Sequence, residues 1–118
     1  MTAQLAQLSK LLLGASVLVE ADMGCEHRAY LRCRAHQAPA AEKKPELMDC
    51  TIIEHYLEVC KHLPAGGPPR VFLSANSQDY GQPSGGGLRE PLGVQFEGVG
   101  LRWAKNFSEA ASLLGLLP

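Results

Sequence analysis

The stretch Leu47–Leu63, LMDCTIIEHYLEVCKHL, is the most regularly patterned part of the chain. Pro45 suits the first turn of a helix here, and the acids Glu46 and Asp49 are favoured at the electropositive N-terminal end of a helix. The apolar residues recur with a helical period and form one broad stripe, Ile52, Ile53, Tyr56, Leu57, Cys60 and Leu63. The stretch therefore predicts a central helix whose apolar side faces a core.

The half of the chain that follows alternates strands with helices. After a Gly/Pro-rich breaker at Pro64–Pro69, the pattern predicts a strand at Arg70–Ser74, a helix within Pro91–Val99, a second strand at Leu101–Ala104 and a last helix capped by Asn106 or Ser108. This order is typical of parallel strands joined by a right-handed crossover. Between them, Ala75–Gly87 is a polar loop, and residues 81–88 are expected to be flexible because they are rich in glycine.

The N-terminal third is predicted to be largely helical. Residues 3–13 carry leucines at helical spacing, and Gly14 is a plausible stop. Residues 15–20, ASVLVE, would either extend this helix or form a short strand, and periodicity does not decide between the two. Residues 26–36 predict a second helix.

Composition limits the class of protein. With 46% hydrophobic and 19% charged residues in 118, the chain is expected to fold as a single domain, residues 1–118, and not to be disordered. A net charge of −1 disfavours a strongly basic duplex-binding module. The longest apolar run is much shorter than the roughly 20 residues that span a bilayer, so no membrane segment is expected.

The four cysteines show no CxxC spacing, and no secretion signal stands at the N-terminus. Four thiols allow two disulfides, but the favoured interpretation is reduced, mostly buried cysteines in a cytoplasmic protein.

Candidate chemistry follows the first strand, because ligands gather beyond the carboxyl ends of parallel strands. Asp79 is the carboxylate of that loop, Ser77 could orient it, and Asn76 offers a donor and an acceptor. Asp49, in the first turn of the central helix, is the second candidate. Together the two acids would form half of a magnesium site, although each has a structural alternative: a turn residue for Asp79 and helix-end stabilisation for Asp49.

Two further groups of charged residues have weaker claims. Glu54 is offset from Asp49 by about 140° around the helix, so we expect it to be a solvent-exposed acid outside the metal site. Arg28 and Arg32 are four residues apart on one helix face. They could bind a phosphate backbone, the alternative being a solvated face.

Several segments together resemble bacterial PIN-like proteins. Met48–Glu58, MDCTIIEHYLE, resembles the "DCxIxEhyLe" helix of that family, and Val71–Gly81, VFLSANSQDYG, resembles its "vFlSSNtxDfg" strand and loop. The stretch from Leu88 to Asn106 is similar to "LhpdLaaEFaxlGixyaxNf". The ordered set covers roughly residues 28–117.

This resemblance implies an α/β fold of the PIN type, a three-layer α/β/α arrangement with a short parallel sheet. It also implies cleavage of RNA by a water bound to Mg²⁺ or Mn²⁺. Asp49 and Asp79 match acidic positions of the family and would be catalytic metal ligands, with Ser77 as the hydroxyl of the loop motif. RNA would be contacted by Arg28, Arg32 and Asn76.

The chain also departs from the family pattern. The family begins with a hydrophobic strand that ends in Asp, and residues 1–20 hold no equivalent, although Asp22 follows an apolar run. The resemblance therefore implies a domain truncated at its N-terminus, with open strand edges that favour a homodimer or a protein partner. The expected functions are a metal-dependent endoribonuclease, active or inactivated by truncation, or a non-catalytic module that binds RNA or protein.

Overall fold

Apart from one short helix, the helices and strands occur in the order that the apolar patterning predicts. In the computed structural model, which describes residues 3–16 and 19–116, the elements are α1 (Ala3–Ala15), α2 (Met23–Arg34), α3 (Leu47–Lys61), β1 (Arg70–Leu73), α4 (Ser77–Tyr80), α5 (Leu92–Gly98), β2 (Leu101–Ala104) and α6 (Phe107–Leu113). The sequence did not predict α4, because four residues are too few to show a helical period.

Side-chain caps fix where several helices begin. The Asp22 carboxylate accepts a hydrogen bond from the Gly24 amide, so α2 starts at Met23 and not at Glu26. Asn106, and not Ser108, caps α6 by accepting from the Glu109 amide. Capping thus sets helix boundaries that apolar spacing leaves open by a few residues.

The two strands pair in parallel, as predicted, from Arg70 beside Leu101 to Leu73 beside Ala104. The crossover between them carries α5, which makes this a mixed α/β domain with a short parallel sheet. Of the two alternatives for residues 15–20, the helix is extended as far as Ala15. Val17 and Leu18 lie outside the described residues.

The main core forms where α3 and α5 pack against the sheet. Phe72 of β1 is at its centre and makes edge-to-face contacts with Tyr56, Tyr80 and Phe96 at ring-centroid distances of 4.9, 5.2 and 6.0 Å. The buried members are Ala38, Ile53, Cys60, Phe72, Tyr80, Leu92, Phe96 and Leu101. Because α2 also packs along α3, α3 has one side on the sheet and another on α2.

The apolar stripe predicted for α3 is only partly buried. Ile53 is fully buried, whereas Ile52 and Tyr56 are 38% and 40% exposed. The stripe is wider than the contact with the sheet, so its outer residues line a surface groove together with Val19 and Ala21. The prediction that the whole stripe faces a core was therefore wrong for its outer edge.

The glycine-rich loop is closed by hydrogen bonds at its base. Gly81 pairs with Leu88 in an antiparallel bridge, and the Gln82 amide donates to the Gly87 carbonyl at 2.7 Å. The flexibility of residues 81–88 stays a prediction.

Within the described residues, every helix is too short or too polar to cross a bilayer.

Candidate metal site

Three carboxylates converge where the N-terminal end of α3 meets the loop after β1. One oxygen from each of Glu46, Asp49 and Asp79 lies within 4.8 Å of the others. Asp49 is in the first turn of α3, and Asp79 is in α4, just beyond the carboxyl end of β1. The predicted approach of Asp49 and Asp79 is therefore confirmed. We refer to the three residues as the acidic cluster.

Glu46 is the member that sequence reasoning missed. It precedes α3 with φ 48° and ψ 47°, a left-handed conformation that non-glycine residues adopt infrequently. Its carbonyl accepts the hydrogen bond from the Cys50 amide that opens the helix. The spacing of three residues between Glu46 and Asp49 was the available signal, because residues three apart share one side of a helix.

Asp79 is held by two donors and is nearly buried, with 8% of its surface exposed. The Asn76 side-chain amide donates to Asp79 Oδ2 at 2.8 Å, and Lys44 Nζ donates to Oδ1 at 3.1 Å. Burial alone would raise the pKa of Asp79, but the hydrogen bonds from Asn76 and Lys44 outweigh it, so that the pKa is lowered. Asp79 is therefore an ionised carboxylate near neutral pH.

The orienting role expected of Ser77 belongs to Asn76. Asn76 bonds Asp79 twice, because its side-chain oxygen also accepts from the Asp79 backbone amide at 3.2 Å. Ser77 is exposed, and its backbone carbonyl accepts from Gly81. The short helix α4 explains this, because an Asn at its N-cap position points at the residue three positions later.

Asp49 has a buried tyrosine as a neighbour. The Tyr80 side chain lies close enough to Asp49 to interact with it electrostatically, and Tyr80 is 2% exposed. Burial, followed by the neighbouring Asp49, raises the pKa of Tyr80 above its ordinary value. The phenol therefore stays protonated beside the Asp49 carboxylate.

A lysine supplies positive charge directly to the acidic cluster. Lys44 Nζ lies 3.1 Å from Asp79 Oδ1 and 3.7 Å from Glu46 Oε1, and its side chain is 47% exposed. The hydrogen bond with Asp79 is the main reason that the pKa of Lys44 is raised. The Lys44 ammonium therefore neutralises part of the charge that a divalent ion would otherwise balance.

Arg89 ties the segment that carries Lys44 to α4. Its guanidinium donates to the backbone carbonyls of Asp79 and Ala40, each at 2.9 Å, and to that of Pro39 at 3.3 Å. The lysine and the acid that it contacts are thus fixed to each other by backbone as well as side-chain bonds. Asp79 is therefore held in place by contacts that require no bound ion.

The side of α2 that carries Arg28 and Arg32 is less exposed to solvent than the sequence suggested. Arg32 is 3% exposed, and its guanidinium contacts Glu54 Oε1 at 2.8 and 3.3 Å. Its other donors reach the Ala38 carbonyl and Gln95. The expectation that Arg32 meets a phosphate backbone is corrected, because this side of α2 packs against α3.

Glu54 likewise differs from its expected exposed state, since it is 8% exposed and forms the acidic half of this pair. Arg28 is more open, with 45% of its side chain exposed, and it contacts Glu54 and Glu58. Spacing showed that the two arginines share a face, but not which element that face meets. A contact between Arg28 and RNA stays a prediction.

The acidic cluster can, on its chemistry, accept a hard divalent cation. All three side chains offer oxygen atoms, which Mg²⁺ and Mn²⁺ prefer.

Comparisons of the chain with protein-family models, curated proteins and solved structures found no match. The resemblance to PIN-like proteins therefore stays a prediction.

Proposed function

We propose that the chain is a metal-dependent endoribonuclease of the PIN type in which the acidic cluster holds Mg²⁺ or Mn²⁺. The observation that carries the proposal is the convergence of Glu46, Asp49 and Asp79 beyond the carboxyl end of β1. This is the edge of a parallel sheet at which ligands ordinarily bind.

The roles of the residues follow from their chemistry. The carboxylates would hold the ion, which supplies an activated water and neutralises charge that develops on a phosphate. Asn76 would orient Asp79, to which it is hydrogen-bonded, and Tyr80 would be a polar neighbour of Asp49. Lys44, half-exposed beside Asp79, is a second source of positive charge for a phosphodiester.

Titration of the purified chain with Mn²⁺ or Mg²⁺ by calorimetry tests the metal site. The expected result is saturable binding that is lost in both Asp49→Asn and Asp79→Asn. Glu58→Gln is the matched control, since it also removes one carboxylate, but from the α3 surface away from the cluster. Binding that survives in both cluster variants, or that disappears in the control, would contradict the site.

Cleavage of single-stranded RNA tests the activity itself. The wild-type chain should cut only with a divalent ion present, and the two Asn variants should be inactive at equal folded concentration. Full activity in a chelator would refute the proposal.

One observation favours the alternative, a non-catalytic RNA- or protein-binding module. The Lys44 ammonium already contacts two of the three carboxylates, which would favour a structural ion pair over a metal. In that case, the wild-type chain would bind RNA without binding Mn²⁺.

A further inference from the structure

Two thiols meet at a single carbonyl oxygen beside the start of α3. Cys33 Sγ lies 3.0 Å from the Pro45 carbonyl oxygen, and Cys50 Sγ lies 3.8 Å from the same atom. The Cys33 side chain also interacts with the Cys50 thiol. Both pack with Ala29 and Ala40 in a small cluster between α2 and α3. The two sulfur atoms are therefore neighbours across the contact between these helices.

The two thiols differ in access to solvent. Cys50 is fully buried, whereas Cys33 is partly exposed. An oxidant from solution would therefore reach Cys33 first. The remaining cysteines have different surroundings: the Cys25 thiol contacts Asp22 and the Glu54 carbonyl, and Cys60 is buried near Arg70.

We propose that Cys33 and Cys50 form a reversible disulfide when the chain meets a low-molecular-weight disulfide such as oxidised glutathione. The Cys33 thiolate attacks one sulfur of the oxidant, giving a mixed disulfide and releasing one glutathione thiolate. The buried Cys50 group is a thiol in the reduced chain, because burial raises its pKa to about 12. It loses its proton to the departing glutathione as it attacks the Cys33 sulfur and expels the second thiolate. Two protein thiols are oxidised, one glutathione disulfide is reduced to two thiols, and the protons of the protein thiols pass to the leaving groups.

Oxidation changes the surroundings of the acidic cluster. The Pro45 carbonyl loses both sulfhydryl donors, while a covalent bond joins α2 to the first turn of α3. Glu46, the next residue, holds its left-handed conformation beside this carbonyl. Glu46 is therefore expected to be less firmly placed in the disulfide form, and divalent binding to be weaker. This last consequence rests on the proposed function, whereas the disulfide does not.

Peptide mapping by mass spectrometry tests the disulfide directly. The reduced full chain is incubated with oxidised glutathione, free thiols are alkylated, and the fragments are identified. The expected product is an intrachain link between the Cys33 and Cys50 peptides that a dithiol reductant reverses. The Cys60→Ser control, which removes a thiol of the same helix, should still form it.

Cys33→Ser should abolish the link, and it places a hydroxyl at a partly exposed position. A stable glutathione adduct on Cys33, a link between another pair, or a link between two chains would overturn the proposal. The same mixture of links in denaturant as in buffer would also overturn it, because the folded geometry would then have no part in the choice.

The Mn²⁺ affinity of reduced and oxidised wild-type chain tests the coupling. A severalfold weaker affinity after oxidation is expected, and Cys33→Ser should show no change on the same treatment. Equal affinities in the two forms would overturn the coupling. Mn²⁺ binding in neither form would refute the proposed function and leave the mapped disulfide standing.

Discussion

Two sites at which carboxylates meet cations lie along α3, and they differ in burial. In the middle of the helix, the side chains of Glu54 and Arg32 are only 10% and 2% exposed. At its N-terminal end, Lys44 is 47% exposed where it contacts Asp79. Removing one partner of a buried pair leaves an unpaired charge in the interior, whereas an exposed pair exchanges readily with water. The buried pair of Arg32 and Glu54 therefore stabilises the fold, whereas the exposed contact of Lys44 can be replaced by a contact with a bound ion or a phosphate group.

The chemistry of the two cations supports the same division. The Arg32 guanidinium is rigid and planar, and it directs its remaining donors at the Ala38 carbonyl and Gln95. Lys44 is a point charge on a flexible stem. An ion or a phosphate group can displace an ammonium that turns aside, but cannot displace a guanidinium that several buried groups hold.

The largest effect is expected from Glu54→Gln. This change keeps the size of the side chain but leaves Arg32 charged and buried without its partner. The free energy of unfolding should fall by about 3 kcal/mol, the lower end for breaking a buried pair. Denaturant unfolding followed by circular dichroism measures it.

Glu58→Gln is the control for that experiment. Glu58 lies on the same helix and pairs with Arg28 and His62 at the surface. Its loss should leave the denaturation midpoint almost unchanged. Equal destabilisation by the two variants would show that burial does not distinguish these pairs.

Tyr80→Phe is expected to lower stability less than Glu54→Gln does, and also to weaken Mn²⁺ binding. The variant removes the buried hydroxyl that interacts with Asp49 but keeps the ring that packs on Phe72. Loss of this polar interaction should lower the free energy of unfolding by about 1 kcal/mol, and Mn²⁺ affinity should fall because Asp49 loses its polar neighbour. Tyr56→Phe is the control, since Tyr56 also packs on Phe72 but is 40% exposed. Unchanged Mn²⁺ affinity in Tyr80→Phe would show that the Tyr80 hydroxyl does not contribute to metal binding.

The sequence predicted the elements of α3, β1 and β2 well because each has a clear local period. It also paired Asp49 with Asp79 as half of a metal site: the edge of the parallel sheet indicated Asp79, and Asp49 was the acid in the first turn of the central helix. Glu46 was overlooked because it was interpreted only as an acid that stabilises the start of α3. Its left-handed conformation, φ 48°, leaves no trace in the sequence beyond its three-residue spacing from Asp49.

Contacts between helices could not be predicted from local sequence patterns. Glu54 and Arg32 both look like surface residues in sequence, because isolated charges ordinarily are. Only the packing of α2 along α3 places them opposite each other, at a separation of 22 residues. The same packing brings Cys33 to Cys50. Spacing rules act along one element and carry no information on which elements meet.

Lys44→Gln tests whether the exposed site is exchangeable. The variant removes the ammonium that contacts Asp79 and Glu46, so the acidic cluster becomes more negative and Mn²⁺ should bind severalfold more tightly. Lys43→Gln is the matched control, since it changes the net charge equally from an exposed neighbouring position. Weaker binding in Lys44→Gln, with no change in the control, would instead show that Lys44 positions Asp79 for metal binding.

The smallest effect is expected at Asp22, a carboxylate held by hydrogen bonds and not by a buried cation. The Cys25 thiol and the Gly24 amide donate to it, and the thiol contact is the main reason that the pKa of Asp22 is lowered from 3.8. Since the pKa is lower in the folded chain, the carboxylate stabilises the fold above pH 3.8, and this contribution is lost as the pH falls through the folded value.

Asp22→Asn keeps an oxygen that can cap α2 but removes the titrating group. The wild-type chain should therefore unfold at a slightly higher urea concentration than the variant near neutral pH, and the difference should vanish in acid. The hydrogen bond from the Asp22 amide to His55 is common to both proteins and cancels in the comparison. A difference that does not diminish as the pH falls below 3.8 would mean that the charge of Asp22 does not contribute, and that only the shape of its cap distinguishes it from asparagine.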